Sequence, residues 1–207
     1  MPGDRPTSEK TLMIACGALA NETLLLIERN GWDFMDVTCL PANFHNYPDR
    51  IPAAMRAKIR DAREKGYGNV VALFADCGTG GTLDAVLEEE GVDRIPGAHC
   101  YEFYSGSAAF NALAEEEIGT FYLTDFLARH FDRLIIEGLG IDRHPELKDM
   151  YFNHYKRLVY LAQVEDADLD SRAEAAAEKL GLEYRRVFTG LDPYQQFMAR
   201  YAPPAAS

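Results

Sequence analysis

Hydrophobic and polar positions change period along the chain, and the change predicts strands and helices in turn. Short apolar runs such as residues 69–76 predict buried strands, while apolar residues spaced three or four apart, as in residues 49–65, predict amphipathic helices. Glycines such as Gly66 directly follow several helical segments and predict their ends. Alternation of strand and helix is typical of α/β proteins. We therefore predict a Rossmann-like α/β fold, with a mainly parallel sheet and helices on both faces.

The predicted elements cover most of the chain. Strands are predicted at residues 11–15, 35–38, 69–76, 92–95, 119–123, 158–163 and 183–188. Helices are predicted at residues 18–30, 49–65, 82–90, 101–117, 124–130 and 169–180, with a short helix from Pro193. Residues 131–155 are predicted to be helical with an interruption at 138–144. The third strand is the most hydrophobic and is placed centrally. Because the sequence has no repeat or linker, we predict one domain over 1–207, either compact or lobed, with disordered ends at about 1–9 and 202–207.

Composition and charge exclude some functions. The 207 residues include 33 acidic and 21 basic side chains, a net charge of −12. Nucleic acids and anionic membranes favour basic surfaces, so we predict binding to neither. No apolar run approaches 18 residues, and the polar start lacks the apolar core of a signal peptide. These features predict a cytoplasmic protein, in which the cysteines are reduced thiols.

The cysteines occupy equivalent positions in the predicted fold. Each closely follows a predicted strand: Cys16, Cys39, Cys77 and Cys100. The carboxyl ends of parallel strands share one edge of a sheet, and open α/β folds bind ligands at that edge. The chain has no CxxC pair, so the fold rather than a local motif would have to assemble any metal site.

Three of these thiols are predicted to be metal ligands. Cys16, Cys77 and Cys100 would share one site with their sulfur atoms within roughly 4 to 7 Å of one another. Three thiolates and an open position suit catalytic zinc, or a [4Fe–4S] cluster with one open iron. The lack of a firm fourth ligand favours the cluster. Cys39 lies within a strand-like stretch that continues into Leu40, so we assign it to core packing.

A glycine-rich loop at residues 76–81 follows the third strand. Its glycines permit left-handed backbone, and a helix follows, so Gly78, Thr79 and Gly80 are candidate cofactor-binding residues. Gly17, beside Cys16, is a fourth candidate. The loop matches neither the Walker nor the GxGxxG pattern. Because Cys77 precedes a helix, we expect a lowered thiol pKa; the alternative is a tight turn around a buried cysteine.

Two histidines lie near the same predicted edge. His99 directly precedes Cys100 after a tight turn, and His45 lies in the loop after the second strand. We predict both as catalytic residues that donate or accept protons, or that orient a metal ligand. His45 could instead be the fourth ligand or a simple loop hydrogen-bonding residue. The remaining histidines are predicted to be structural: His130, His144 and His154.

Together these segments resemble the domain of unknown function family 1638. The resemblance rests on the Cys77-Gly78 loop, on His99-Cys100 followed by Gly106, and on residues 119–124; Cys16 and the loop at 40–48 fit it too. Many members have an aspartate between the histidine and the cysteine of the second segment, which this chain lacks. The resemblance implies a link to corrinoid-dependent methyltransferases, and so to one-carbon or methylamine metabolism.

These observations lead to one preferred hypothesis and two alternatives. We favour a metal-dependent enzyme that acts on a small molecule, holds an iron–sulfur cluster or zinc, and has corrinoid methyltransferase components as candidate partners. The first alternative is a metal-free accessory or ligand-binding protein of such a system, with cysteines buried singly. The second is an enzyme with Cys100 as nucleophile and His99 or His45 as base.

Overall fold

The computed structural model describes residues 9–202. Disordered ends were predicted at 1–9 and 202–207. Apart from residues 9 and 202, these ends lie outside the described range. The described chain divides into two compact units: unit 1 comprises residues 9–103 and 193–202, and unit 2 comprises residues 104–192. Each unit has its own parallel sheet. The α/β prediction is confirmed, but the strands form two sheets instead of one, and the single domain over 1–207 stays a prediction.

The helices and strands follow the predicted alternation. The strands are β1 (Thr11–Cys16), β2 (Met35–Leu40), β3 (Asn69–Leu73), β4 (Asp93–Arg94), β5 (Thr120–Thr124), β6 (Arg157–Ala162) and β7 (Glu183–Phe188). The α-helices are α1 (Ala20–Asn30), α2 (Ile51–Glu64), α3 (Thr82–Glu90), α4 (Cys100–Ser105), α5 (Ser107–Glu116), α6 (Asp125–Phe131), α7 (Glu146–Phe152), α8 (Ala167–Leu180) and α9 (Asp192–Ala199). Short 3₁₀ turns cover Gly17–Leu19, Ala42–Asn46 and Pro48–Arg50, and a π-helix covers Asp132–Glu137.

The sheet of unit 1 has the strand order β2-β1-β3-β4, and its strands run parallel. Residues 12–15 of β1 are buried, as expected for an interior strand of a parallel sheet. From β1 the chain moves to β2 on one side and then returns to β3 on the other. The strand order therefore reverses between β1 and β3, and such a switch point is where open α/β sheets bind ligands.

Ion pairs and a buried hydroxyl pair join the helices of unit 1. The carboxylate of Glu90, at the end of α3, forms ion pairs with Arg56, Arg60 and Arg63 of α2. Helix α9 returns to unit 1, where the hydroxyl of its buried Tyr194 hydrogen-bonds Thr23 of α1 at 2.5 Å. These contacts fix two helix pairs around the first sheet.

The sheet of unit 2 has the order β5-β6-β7, again parallel. All six residues of the central strand β6 are buried. One face of its core combines the side chains of Leu158 and Tyr160 with the small alanines of α8, such as Ala173 and Ala176. Small side chains on α8 allow close packing over the sheet.

None of the described helices is both long enough and apolar enough to cross a membrane.

Element boundaries agree best with the prediction where a glycine ends the helix. Helix α3, which Gly91 follows, matches the predicted residues 82–90. Among the strands, β7 matches the predicted residues 183–188. The helix predicted at 101–117 is interrupted at Gly106, whose φ of 76° is left-handed, and so becomes α4 and α5. Within residues 131–155, the structure has the π-helix and α7.

Candidate thiol site at the carboxyl edge of the first sheet

Two of the predicted ligands flank the switch point of the unit 1 sheet. Cys16 is the last residue of β1, and Cys77 lies in the loop after the neighbouring strand β3. Parallel pairing of Ala15 with Leu73 aligns the carboxyl ends of the two strands. The fold therefore brings these two loops to the edge at which the sequence predicted a site.

Backbone hydrogen bonds join the Cys77 loop to the segment that carries Cys100. The amide of Asp76 donates to the carbonyl of Gly97 at 3.2 Å, and the amide of Cys77 donates to the carbonyl of Ala98 at 2.9 Å. Cys77 has a φ of 51°, in the left-handed region that residues other than glycine rarely adopt. A strained backbone conformation at this position is typical of functional loops that their surroundings hold in place.

The loop after β2, which carries His45, packs against both of these strand ends. A Cβ atom on Gly17 would lie 3.2 Å from the carbonyl oxygen of Leu40 and from the amide nitrogen of Ala42. A Cβ atom on Gly78 would lie 3.8 Å from the Pro48 ring. Gly17 therefore permits close backbone packing, which accounts for a glycine there without a cofactor. Its cofactor-binding role stays a prediction.

The three predicted ligands interact electrostatically in every pairing. Burial raises the pKa of Cys16 to about 11 and that of Cys77 to about 12, and the Cys16 charge adds to the second shift. Burial also raises the pKa of Cys100 well above its usual range, and the charges of Cys77 and Cys16 add to it. The lowered pKa expected for Cys77 is wrong, because desolvation outweighs any effect of the helix start.

Neutral thiols gathered in a buried place can become thiolates only with a compensating charge. Arg94 is one such charge: it lowers the pKa of Cys77, and its guanidinium donates to the carbonyls of Ile95 at 2.8 Å and Gly97 at 3.2 Å. Asp84 also pairs with it. Across residues 9–202, no three His, Cys, Asp or Glu side chains form a group that could hold a metal ion as they stand. The metal assignment of Cys16, Cys77 and Cys100 stays a prediction.

Cys39 is half-buried on β2, opposite Ala15, and so lies at the edge of the core. Burial raises the pKa of its thiol, while the ammonium of Lys58 lowers it. Lys58 also donates to the hydroxyl of Thr38 at 3.0 Å. The Cys39 charge in turn raises the pKa of Cys16. All four cysteines therefore lie in one electrostatic neighbourhood.

The glycine loop is organised by its own aspartate. The carboxylate of Asp76 accepts hydrogen bonds from the hydroxyl of Thr79 at 2.8 Å and from the amides of Gly81 at 2.9 Å and Gly80 at 3.2 Å. The Gly81 amide contributes most to lowering the pKa of Asp76, so the carboxylate stays charged. Because this carboxylate occupies two of the loop amides, the shape of the loop needs no external anion. Cofactor binding by Gly78, Thr79 and Gly80 stays a prediction.

The two predicted catalytic histidines are neighbours. The ring centroids of His45 and His99 lie 6.4 Å apart, and His99 stacks on Tyr101 at 4.9 Å. Burial, with the nearby charge of His99, lowers the pKa of His45, so its imidazole is neutral at pH 7. The Nδ1 atom of His99 is buried and has no hydrogen-bond partner in residues 9–202. An orphaned imidazole nitrogen beside the thiols is suited to a ligand or a bound water.

Sequence reasoning missed two side chains of this neighbourhood. Arg94 was seen only as part of a strand, and nothing in its local sequence predicts its charge beside Cys77. Tyr194 lies far along the chain, yet burial and, to a smaller extent, the charges of Glu22, Cys16 and Cys39 raise the pKa of its hydroxyl. Both reach the site through tertiary packing, which local sequence patterns do not encode.

The sequence profile of a family described as "Protein of unknown function (DUF1638)" matches residues 39–198, more than half of the chain. The chain belongs to this family. The predicted resemblance is thereby confirmed. The DUF1638 match includes Cys77, Cys100 and both site histidines, while Cys16 and Gly17 precede it. No curated protein matches the chain, and no solved structure does.

Proposed function

We propose that this DUF1638 protein holds a thiolate-bound metal centre at the switch point of the unit 1 sheet, with Cys16, Cys77 and Cys100 as its protein ligands. The observation that carries the proposal is the pairwise interaction of these three thiol charges. Cys39 also raises the pKa of Cys16, but Cys16, Cys77 and Cys100 interact in every pairing, which the singly buried cysteines of a metal-free accessory protein would not do.

The raised thiol pKa values favour coordination over nucleophilic catalysis. A cysteine nucleophile works as a thiolate and is activated by a lowered pKa, whereas burial raises the pKa of all four thiols here. A bound cation would add to the positive charge of Arg94 and would displace the thiol protons. Binding of such a cation would therefore strengthen as the pH rises.

We favour an iron–sulfur cluster over zinc. A zinc ion held by three thiolates needs a further ligand to complete its four-coordinate site, and the sequence offers no firm fourth ligand beside these cysteines. A [4Fe–4S] cluster spreads its cysteine sulfurs more widely and accepts three thiolates with one iron open. Such a cluster supplies a Lewis-acidic iron or an electron carrier.

The chain's own histidines supply proton chemistry beside the thiols. His45 has a lowered pKa and is neutral, so it can accept a proton from a small-molecule substrate. The buried Nδ1 of His99 can hold a substrate atom or water, while stacking on Tyr101 fixes its ring. These roles make the protein an enzyme within the proposal.

The proposed partners rest on the resemblance alone. A cytoplasmic role beside corrinoid methyltransferase components would place the substrate in one-carbon or methylamine metabolism. The acidic surface, with a net charge of −12, is compatible with such small-molecule chemistry and unfavourable for nucleic acid.

The test is analysis of iron, acid-labile sulfide and zinc in the full chain purified without oxygen, alongside the visible absorption spectrum. We expect iron and sulfide near cluster stoichiometry. Replacement of any one ligand (Cys16→Ala, Cys77→Ala or Cys100→Ala) should remove most of the iron. Cys39→Ala is the matched control, because Cys39 lies nearby but is not a proposed ligand, and it should keep the metal.

Other outcomes decide between the remaining hypotheses. Zinc without iron, lost in the same three variants, would keep the thiolate site and replace the cluster. No metal in a well-folded protein would overturn the proposal. In that case, selective alkylation of Cys100 near pH 8 would favour the nucleophile hypothesis, and equal resistance of all thiols would favour the accessory role.

A further inference from the structure

A second candidate site lies wholly within unit 2, apart from the cysteines. A cavity of about 360 Å³ opens between helix α8 on one side and helix α6 with the π-helix on the other. This volume falls within the range of small-molecule sites, about 300–1,000 Å³. Ala175 and Ala176 of α8 line the cavity, and their small side chains occupy little of its volume.

The cavity is lined by an unusual number of cations for so acidic a protein. The basic side chains are those of Arg129, Arg133, Arg172 and Lys179, joined by the imidazole of His130, whereas the acidic lining residues are Asp132 and Glu137. The chain as a whole carries a net charge of −12. A local excess of positive charge inside a concave surface concentrates anions.

Ion pairing leaves part of this charge uncompensated. Lys179 pairs with Asp132 at 2.5 Å, and Arg172 pairs with Asp168 at 2.6 Å. Arg133 has no acidic partner within the described chain, and its side chain is exposed. Burial, together with the charges of Arg133, Arg129 and Arg172, lowers the pKa of His130. These three cations therefore lie close to its imidazole.

The backbone beside the cavity is irregular where these side chains emerge. His130 has φ −121° and ψ 18° inside α6, which kinks the helix before the π-helix begins. π-Helical turns are rare in proteins, and those that occur are often found at functional sites. The kink and the wider turn place Arg129, His130 and Arg133 along the lining opposite Arg172.

We propose that this cavity binds a small metabolite through a phosphate-type oxyanion, with Arg133 and Arg172 as its principal contacts. Guanidinium groups are planar forks that match phosphate and carboxylate oxygens in pairs. The imidazole of His130 adds a hydrogen-bond donor at the same wall. This gives His130 a role where the sequence predicted a purely structural residue.

The test is isothermal titration calorimetry of the full chain with pyrophosphate at low ionic strength, since salt screens such contacts. We expect saturable binding. Arg133→Gln and Arg172→Gln should each weaken it at least about tenfold, the scale of one charge-assisted contact. Arg143→Gln is the matched control: Arg143 is also exposed in unit 2 but does not line the cavity.

The control separates a built site from general charge attraction. Retained affinity in Arg143→Gln together with loss in both cavity variants would support the site. Equal weakening in all three variants, or no saturable binding to the unsubstituted chain, would overturn it. Circular dichroism should confirm folding, which we expect because both cavity arginines are exposed.

Discussion

The two parallel sheets of this protein end in very different ways at their carboxyl edges. In unit 1 the edge gathers thiols with raised pKa values, a left-handed Cys77 and an imidazole nitrogen that has no hydrogen-bond partner among residues 9–202. In unit 2 the edge buries Asp125, and the surrounding groups satisfy its carboxylate. Parallel strand pairing therefore serves a candidate ligand site in one unit, where the strand order reverses, and a closed hydrogen-bond network in the other, where it does not.

The Asp125 network is complete. Its Oδ1 accepts from the hydroxyl of Tyr160 at 2.7 Å and from the amide of Gln163 at 3.1 Å, and its Oδ2 accepts from the amide of Val164 at 3.1 Å. The Asp125 amide in turn donates to the Gln163 side chain at 2.8 Å. Thr124, the last residue of β5, caps α6 by accepting a hydrogen bond from the Leu127 amide. Buried networks in which every polar group is hydrogen-bonded make a structure rigid, whereas a buried polar group without a partner is a candidate contact for a ligand or water.

The largest expected effect comes from breaking the closed edge. Asp125→Ala would leave the buried amide of Gln163, the part-buried amide of Val164 and the Tyr160 hydroxyl without this acceptor. Each orphaned group costs roughly 1–3 kcal/mol, so the free energy of unfolding should fall by about 3 kcal/mol or more. Urea denaturation followed by circular dichroism measures this loss.

The matched variant at the open edge is Cys16→Ala in metal-free protein. Because the Cys16 thiol is only half-buried, its removal should lower the free energy of unfolding by less than about 1 kcal/mol. If the two variants were equally destabilised, the contrast between a structural edge and a ligand-binding edge would fail.

A smaller effect should appear at the left-handed residue of the open edge. Cys77 has a φ of 51°, and a left-handed conformation costs a side-chain-bearing residue about 1 kcal/mol relative to glycine. Metal-free Cys77→Gly should therefore be more stable than Cys77→Ala by about 1 kcal/mol. Thermal unfolding of the two variants, which both lack the thiol, isolates the backbone contribution; equal melting temperatures would contradict the strain.

The smallest effect is a pH dependence at the closed edge. Burial raises the pKa of Asp125 above its usual value despite the hydrogen bonds to the carboxylate. The folded state then keeps this proton to higher pH than the unfolded state does. The contribution of Asp125 to stability is full below the ordinary aspartate pKa and declines as the pH rises through the raised one.

The measurement compares the unsubstituted chain with Asp125→Asn by urea denaturation from pH 3.5 to 7. The difference in free energy of unfolding should shift against the unsubstituted chain as the pH rises, because asparagine does not titrate. A difference that stays constant, or moves the other way, would show that the carboxylate is charged at no net cost.

Local sequence patterns predicted the elements well, because helix ends are marked locally. Gly91 and Gly181 follow α3 and α8 in left-handed conformations, and both helix ends were predicted. The division of the strands between two sheets could not be predicted, since strand pairing depends on contacts between distant residues. Gly106 was read as part of one helix because a single glycine does not reveal its φ.

The candidate site was predicted in part for a similar reason. Parallel pairing aligns strand ends, so the meeting of Cys16 and Cys77 at one edge follows from topology. The environment of the thiols, in contrast, does not follow from topology. Desolvation reverses the expected pKa shift of Cys77, and it depends on how much of the chain surrounds the sulfur. The cavity at Arg133 was missed because its cations come from helices that are distant in sequence.

The order of the strands has a consequence for biosynthesis. Cys16 emerges from the ribosome with β1, whereas Cys77 and Cys100 follow only after the second strand and its helix. The three thiols can meet only when β3 has paired with β1, a contact between distant segments that forms late. A nascent chain released before Cys100 would present two of the three thiols and no complete pocket. A cofactor held by all three thiols could therefore be completely ligated only after Cys100 has been translated.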